Sequence, residues 1–228
     1  DSFLKHHFSA RTVTNGKKKN KLVLCNQFGL DPSKPLIVFI GRLVGEKAAD
    51  VLPDSIMSCL YTMKDACSFL ILGSGETQIE WQLQQMNHQF GNNYHAVIGY
   101  NEALSHTMYA GADFLLMPSR VEPCGLNQLY ALRYGTIPMV RSTGGLQDTV
   151  KDMGEEEGFG IRFNNASVRD IYHSVERAIE VFQNPKQILW MRKYMMAIDH
   201  SWESVIDNYE NVYRQIVSIP KNSKIKKK

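Results

Sequence analysis

Arg42 and Lys47 stand five residues apart in Gly41-Arg42-Leu43-Val44-Gly45-Glu46-Lys47, a glycine-containing segment that follows a branched apolar run. From the two ends of one turn, a planar guanidinium and a compact ammonium can grip the same phosphate group. The same residues would also make an ordinary turn with solvated cations. A second segment, Pro118-Ser119-Arg120-Val121-Glu122-Pro123-Cys124-Gly125-Leu126-Asn127-Gln128, sets the carboxylate of Glu122 just ahead of a helix expected to open at Gly125. Pro123 fixes the backbone locally, Gly125 admits a ligand closely, and the unbonded N–H groups near Gly125 and Leu126 suit an anion. A carboxylate beside an anion site can accept hydrogen bonds from sugar hydroxyls. Its other use is capping the helix, which Glu does poorly compared with Asp or Ser. Cys124 lies where a helix terminus favours a thiolate, but no base accompanies it for nucleophilic work.

Three further loops carry weaker signals. Gly73-Ser74-Gly75-Glu76 is half of a dinucleotide fingerprint, with Gln78 where the third glycine would stand, and it suits a tight, closely packed strand–helix turn better than a phosphate loop. Tyr100, after Gly99, offers a ring on which a flat base could stack, or simple packing. In Arg141-Ser142-Thr143-Gly144-Gly145-Leu146 the paired glycines free the backbone to wrap a ligand and Thr143 adds a hydroxyl, although a plain turn explains it almost as well. The seven histidines show no metal-binding spacing, so no metal is expected, and no carboxylate pair marks a hydrolase.

These loops need elements to hold them. Short apolar runs at Leu36–Ile40, Ser68–Leu72, Tyr94–Ile98, Asp113–Met117 and Ile137–Val140, with Gly158–Phe163 as a sixth, read as parallel strands covered on both faces. Helical patterns at Ala48–Met63, Thr77–Phe90, Ala103–Gly111 and Gly125–Tyr134 alternate with them. The alternation predicts an α/β, Rossmann-like, doubly wound parallel sheet of about six strands. Three helices without strands follow at Ser167–Phe182, Pro185–Ile198 and Trp202–Val217. Their aromatics Trp190, Tyr194, Trp202, Tyr209 and Tyr213 fall on helical spacing and are expected in the core, as are the ten Met. Residues 1–21 are read as mostly irregular, with a short helix from Asn20 to Phe28. Ligands of such sheets sit beyond the carboxyl ends of the strands, where all the loops above fall.

With 228 residues, 43% hydrophobic and 21% charged, the chain has the makings of a soluble globular fold. No apolar run is long enough to span a bilayer, and no secretory signal opens the chain. It starts at Asp1 and reads as a piece of something longer. The net charge of +3 comes from the ends: six Lys or Arg lie in residues 1–21 and five Lys in 221–228, leaving 15 basic against 22 acidic residues between. Two solvated basic ends on an acidic body do not make a nucleic-acid-binding face, so no nucleic acid and no membrane is expected as partner. The four cysteines form no CxxC pair. Cys59 and Cys67 read as buried thiols, and a reducing compartment fits best.

Taken together, Pro118-Ser119-Arg120-Val121-Glu122-Pro123-Cys124-Gly125-Leu126 and Ser142-Thr143-Gly144-Gly145-Leu146-Gln147-Asp148-Thr149-Val150, with Gly41–Lys47 and Gly73–Glu76, resemble the C-terminal domain of bacterial glycogen synthases and plant starch synthases (glycosyltransferase family 5, GT-B architecture). The likeness runs over about Ile37–Ile216, and the helix with Trp202, Tyr209 and Tyr213 also fits. It implies one half of a GT-B fold, with residues 1–30 as inter-domain linker, 31–218 as the nucleotide-sugar-binding domain and 219–228 as a basic disordered tail. It further implies that ADP-glucose is the donor and that glucose passes with retention to the 4-hydroxyl of an α-1,4-glucan, without a catalytic metal or other cofactor. Carried over residue by residue, Arg42 and Lys47 would neutralise the donor phosphates and Glu122 would face the donor sugar, these three being the catalytic set. Tyr100 would stack on adenine, and Gly75, Cys124, Gly125, Leu126, Asn127, Thr143, Gly144 and Gly145 would line the nucleotide sugar. The family's N-terminal domain supplies a Lys-rich glycine motif, acceptor contacts and a catalytic histidine, none of which stands here, so this chain would bind ADP or ADP-glucose weakly and not catalyse transfer. The cytoplasm of bacteria, or the plastid of plants, is the implied location. Two departures stand out: Tyr130 occupies the place of a second Glu found in many related retaining transferases, and Ala48 replaces a common Gly. Other readings keep the architecture with a UDP or GDP sugar, or make the chain a non-catalytic nucleotide-binding module.

Overall fold

The computed structural model describes residues 1–218. Residues 219–228, read above as a basic tail, lie outside the described residues. The chain divides into two units, residues 1–197 and the part from Ile198 onward.

In the first unit six strands form one sheet: β1 (Leu36–Ile40), β2 (Ser68–Gly73), β3 (Tyr94–Ile98), β4 (Phe114–Met117), β5 (Ile137–Arg141) and β6 (Ile161–Phe163). All pair in parallel in the order β3-β2-β1-β4-β5-β6. The near-continuous burial of β1, β2, β4 and β5 is why their sequences lack alternation: helices cover both faces. Those helices are α1 (Val13–Phe28), α2 (Leu52–Thr62), α3 (Thr77–Phe90), α4 (Glu102–Gly111), α5 (Asn127–Tyr134), α6 (Gly144–Thr149), α7 (Val168–Gln183) and α8 (Pro185–Ala197). One core runs between α1, α4, α5 and the sheet, through Leu24, Leu36, Val38, Leu70, Met108, Leu115, Ala131 and Val140. Strand order reverses between β1 and β4, and the crevice at such a reversal is where doubly wound sheets bind ligands.

The N-terminal segment departs from expectation. The helix expected from Asn20 to Phe28 starts earlier, at Val13, so residues 13–19 are helical and not irregular, and Lys17 and Lys21 are buried, not solvated. The buried positions Val13, Gly16, Lys17, Asn20, Lys21, Leu24 and Cys25 make a regular helical stripe, but one written largely in polar residues, so hydropathy does not reveal it. Its partners lie far along the chain. The Lys17 ammonium donates to the carbonyls of Tyr109 and Ala110 at the end of α4, to that of Tyr134 at the end of α5, and to Thr136 Oγ1 at 2.6 Å. It therefore satisfies the C-terminal carbonyls of two helices at the negative ends of their dipoles. Burial pulls its pKa well below the usual Lys value, with Arg192 adding to the effect. Beside it, the Asp113 carboxylate takes Lys21 Nζ at 2.6 Å, Arg192 Nη2 at 2.6 Å and the Leu36 N–H at 3.0 Å. Burial pushes the Asp113 carboxyl up, but Lys21 and Arg192 prevail and hold it below the ordinary range. The end of the sheet away from the strands' carboxyl termini is thus fastened by buried charges.

Two helix starts also move. Ala48 takes a left-handed conformation (φ 53°) between 3-10 turns at Gly45–Lys47 and Ala49–Val51, so α2 begins at Leu52 and not at Ala48. A methyl-bearing residue is disfavoured there, which accounts for the glycine common in the resembling family. α5 begins at Asn127, two residues past the expected start.

The second unit holds α9 (Trp202–Ser218), along which Trp202, Ile206, Tyr209, Tyr213 and Ile216 form an apolar stripe at helical spacing. In the first unit Trp190 of α8 is exposed. Its expected core placement is therefore corrected: periodicity marks a face fit for burial, not that the chain buries it. Tyr194 is half-buried and stacks between Trp190 and Phe159. Cys25, Cys59 and Cys67 are buried free thiols, and Cys124 is an exposed one. Burial raises the thiol pKa of Cys25 to about 11 and that of Cys67 to about 12.

Candidate active site

The loops at the carboxyl ends of β1 and β4 meet at the strand-order reversal. After β1, Gly41 to Lys47 turns over the sheet edge; Leu43 bridges to Gly75, with its N–H donating to Ser74 and its carbonyl accepting from Glu76. This approach requires glycines: a Cβ on Gly73 would lie 2.1 Å from the Gly41 carbonyl oxygen, and one on Gly75 2.2 Å from that of Leu43. After β4, the Ser119–Gly125 loop lies directly on the start of α6. A Cβ on Gly144 would fall 2.3 Å from the Glu122 carbonyl oxygen, and one on Gly145 2.1 Å from that of Cys124. The Gly145 N–H already donates to the carbonyls of Glu122 and Pro123 at 3.1 and 3.2 Å. Gly75, Gly144 and Gly145 thus serve loop-on-loop packing.

Arg120 joins the two loops. Its guanidinium grips Asp50 at 2.5 and 2.9 Å and the Gly45 carbonyl at 2.7 Å, while the Arg120 and Val121 N–H groups donate to the Glu46 carbonyl. The hydrogen bonds from Arg120 hold the Asp50 carboxyl below its usual range. Arg141 fastens the same loop from β5 through the carbonyls of Ser119 and Arg120 at 2.7 and 2.6 Å. Sequence reading gave neither Arg120 nor Asp50 a role. They lie 70 residues apart, and nothing local to either announces the pairing.

The clasp brings Lys47 and Glu122 into a direct ion pair across 75 residues of sequence. Glu122 is buried, Lys47 is half-buried, and Ser119 Oγ donates to Glu122 Oε2 at 3.0 Å. Arg42, on the same turn as Lys47, is exposed and pairs with Glu46 at 3.1 Å. Next to these groups α5 opens with no side-chain cap on its first-turn N–H groups. An uncapped helix start beside two cations suits an anion.

A cavity of about 1040 Å³ runs from this mouth down the faces of α4 and α5 to the chain's first ten residues. Arg42, Tyr100 and Asn127 line it; Lys47, Glu122, Gly75, Cys124, Gly125, Leu126, Thr143, Gly144 and Gly145 do not. Tyr100 is 86% exposed and free to receive a planar group. The Asn127 amide donates to the Ile40 carbonyl at 2.7 Å, tying α5 to β1. Cys124 is exposed beside Gly125, whose φ of 77° needs a glycine. Among the described residues no group of three His, Cys, Asp or Glu is placed to hold a metal ion, and no helix is long and apolar enough to cross a membrane.

Residues 23–187 match the family model of group 1 glycosyl transferases. The chain is 49% identical over 217 residues to a glycogen synthase of Flavobacterium johnsoniae, covering 95% of this chain and 46% of the relative. A glycogen synthase of Thermodesulfovibrio yellowstonii is 38% identical, with 95% and 42% covered. Among solved structures, the catalytic domain of starch synthase IV from Arabidopsis thaliana, bound to ADP and acarbose, superposes with a TM-score of 0.84 at 35% identity, over 96% of this chain and 46% of that one. The chain spans about half the length of the curated relatives it matches.

Proposed function

Because the chain belongs to the group 1 glycosyltransferases and corresponds to the C-terminal half of a GT-B enzyme of the glycogen and starch synthase type, we propose that it is the donor-binding half of a retaining glucosyltransferase that uses ADP-glucose. In this reading Arg42 and Lys47 meet the diphosphate, and the first-turn N–H groups of α5 with Asn127 add dipolar attraction. Tyr100 stacks on the base. Glu122, buried and oriented by Ser119, accepts hydrogen bonds from the glucose hydroxyls. As the bond from glucose to the diphosphate breaks, negative charge grows on the leaving ADP, and cations held ready there lower the barrier. The diphosphate's charge is met by side chains, without a metal. The acceptor is the 4-hydroxyl of an α-1,4-glucan, presented by an N-terminal domain of the same enzyme, and the half alone binds donor without transferring glucose. Bacterial cytoplasm or plant plastid is the setting this chemistry fits.

One observation carries the reading: two loops that start on opposite sides of the strand-order reversal bring Lys47 against Glu122, with Arg42 on the same turn. The ADP complex of the Arabidopsis relative supports the choice of nucleotide. Calorimetric titration of the chain with ADP-glucose, UDP-glucose and GDP-glucose tests it. Preference for ADP-glucose is expected, and tighter binding of either other donor would overturn the assignment.

A further inference from the structure

The anion-seeking groups of the mouth are already engaged by the chain's own carboxylates. Arg42 holds Glu46, the Gly45 N–H donates to Glu76 at 3.1 Å, the Gly75 N–H donates to Glu80 at 2.7 Å, and Lys47 holds Glu122. These four carboxylates differ in how readily they leave. Glu46 and Glu76 are exposed and Glu80 is partly so; exposed pairs contribute little and give way to a diphosphate at small cost. Glu122 cannot swing out. Its side chain is only 10% exposed, Ser119 holds the same oxygen that meets Lys47, and its carbonyl is fixed by the Gly145 N–H. Lys47 is the movable partner, a flexible four-carbon stem on a 3-10 turn.

We propose that the Lys47–Glu122 pair is a latch operated by the donor: a nucleoside diphosphate draws Lys47 away from Glu122, and the released carboxylate then accepts hydrogen bonds from the hexose carried by that diphosphate. This rests on the donor-site reading above and adds to it a coupling between the phosphate and sugar subsites. A nucleoside diphosphate without sugar strands Glu122 as a buried charge with Ser119 alone for company, which is costly. A nucleotide sugar fills the vacancy with hydroxyl donors. The site therefore favours the sugar-bearing donor over the bare diphosphate through an internal charge, and the return of Lys47 to Glu122 helps expel the diphosphate product.

The test compares ADP and ADP-glucose binding, by calorimetry, for the unaltered chain and for Lys47→Ala, Glu122→Gln and Ser119→Ala. Glu122→Gln keeps the shape and removes the charge that holds Lys47. Its affinity for ADP should rise on the order of fivefold to tenfold, the scale of one partly exposed charge contact, while its preference for ADP-glucose over ADP disappears. Ser119→Ala, which leaves Glu122 more dependent on Lys47, should weaken ADP binding by about threefold, within the scale of one hydrogen bond. Weaker or unchanged ADP binding by Glu122→Gln would overturn the latch; should that variant fail to fold, tighter or unchanged ADP binding by Ser119→Ala would do the same. If the unaltered chain binds ADP and Lys47→Ala weakens it while either of these contrary results holds, the latch alone fails. Absence of ADP binding by the unaltered chain removes the donor-site reading and the latch together.

Discussion

Asp113→Asn isolates the buried charges at the far end of the sheet. Asp113, Lys21 and Arg192 are all nearly inaccessible, and the carboxylate bonds both cations at 2.6 Å. Asn keeps the shape and can still accept from the Leu36 N–H, but it leaves two buried cations without a counter-charge. Breaking a buried pair in this way costs about 3–5 kcal/mol, a large share of the roughly 5–15 kcal/mol that holds a typical domain folded. With a urea m-value of about 2–3 kcal/mol/M, the midpoint should fall by about 1–2 M. Urea unfolding followed by far-ultraviolet circular dichroism reads this directly. The triple replacement Lys21→Met, Asp113→Leu, Arg192→Met should lose less than the single one, because the cost lies in the stranded charges and not in a missing attraction. Its pH dependence should differ as well. The Asp113 carboxyl titrates below its unfolded value, so its stabilisation is present above about pH 4 and is lost as pH falls through the folded pKa. The triple variant should lack that part of the acid loss. The cluster sits away from the strands' carboxyl ends, so ADP affinity of folded Asp113→Asn should be unchanged. A midpoint shift worth less than about 1 kcal/mol, far below the cost of a stranded buried charge, would refute the reasoning.

Other expectations concern the mouth. Tyr100→Ala should weaken ADP binding by about 1–3 kcal/mol, the measured range for a base stacked on an aromatic ring, with no change in melting temperature because the ring is exposed; unaltered ADP affinity would remove Tyr100 from the site. Gly145→Ala would force a methyl onto the Cys124 carbonyl oxygen and should displace the Glu122 loop, lowering stability by about 1–3 kcal/mol and weakening ADP-glucose binding in the same titration; a variant with unchanged melting and binding would contradict the packing described. Arg120→Ala gives up an exposed clasp worth only about 1 kcal/mol of stability, but should reduce ADP-glucose affinity more than thermal stability, since it releases the turn that carries Lys47; the reverse pattern would make Arg120 a stabilising residue alone. ADP titrated in the presence of EDTA should bind as in its absence, and a requirement for Mg²⁺ would contradict the metal-free site.

The sheet was legible because β1 to β4 are short apolar runs closed by glycine or proline and followed by a helical pattern. Strands covered on both faces cannot be written otherwise. The loops of interest followed from the rule that ligands bind beyond strand carboxyl ends, and residue type and place singled out Arg42, Lys47 and Glu122 as candidates. What stayed hidden needed partners distant in sequence. Lys17 and Lys21 looked like a solvated run because their acceptors are helix-terminal carbonyls and Asp113, about 90 residues away. The Arg120–Asp50 clasp and the Lys47–Glu122 pair are hidden for the same reason. Close packing was the favoured reading at Gly75, and the Leu43 carbonyl leaves no room for a side chain there; Gly144 and Gly145 suited ligand wrapping or a plain turn alike, and the carbonyls of Glu122 and Cys124 crowd them in the same way. Trp190 fell on helical spacing yet is exposed; whether a helix face is covered is not a property of its own sequence.

Titration of the unaltered chain and of a joint Arg42→Ala, Lys47→Ala variant with ADP tests the central claim most directly. Loss of two charge-assisted contacts, at about 1.5–3 kcal/mol each, should weaken ADP binding by the folded variant by at least 100-fold. ADP affinity equal in the two proteins would mean that the diphosphate is held elsewhere.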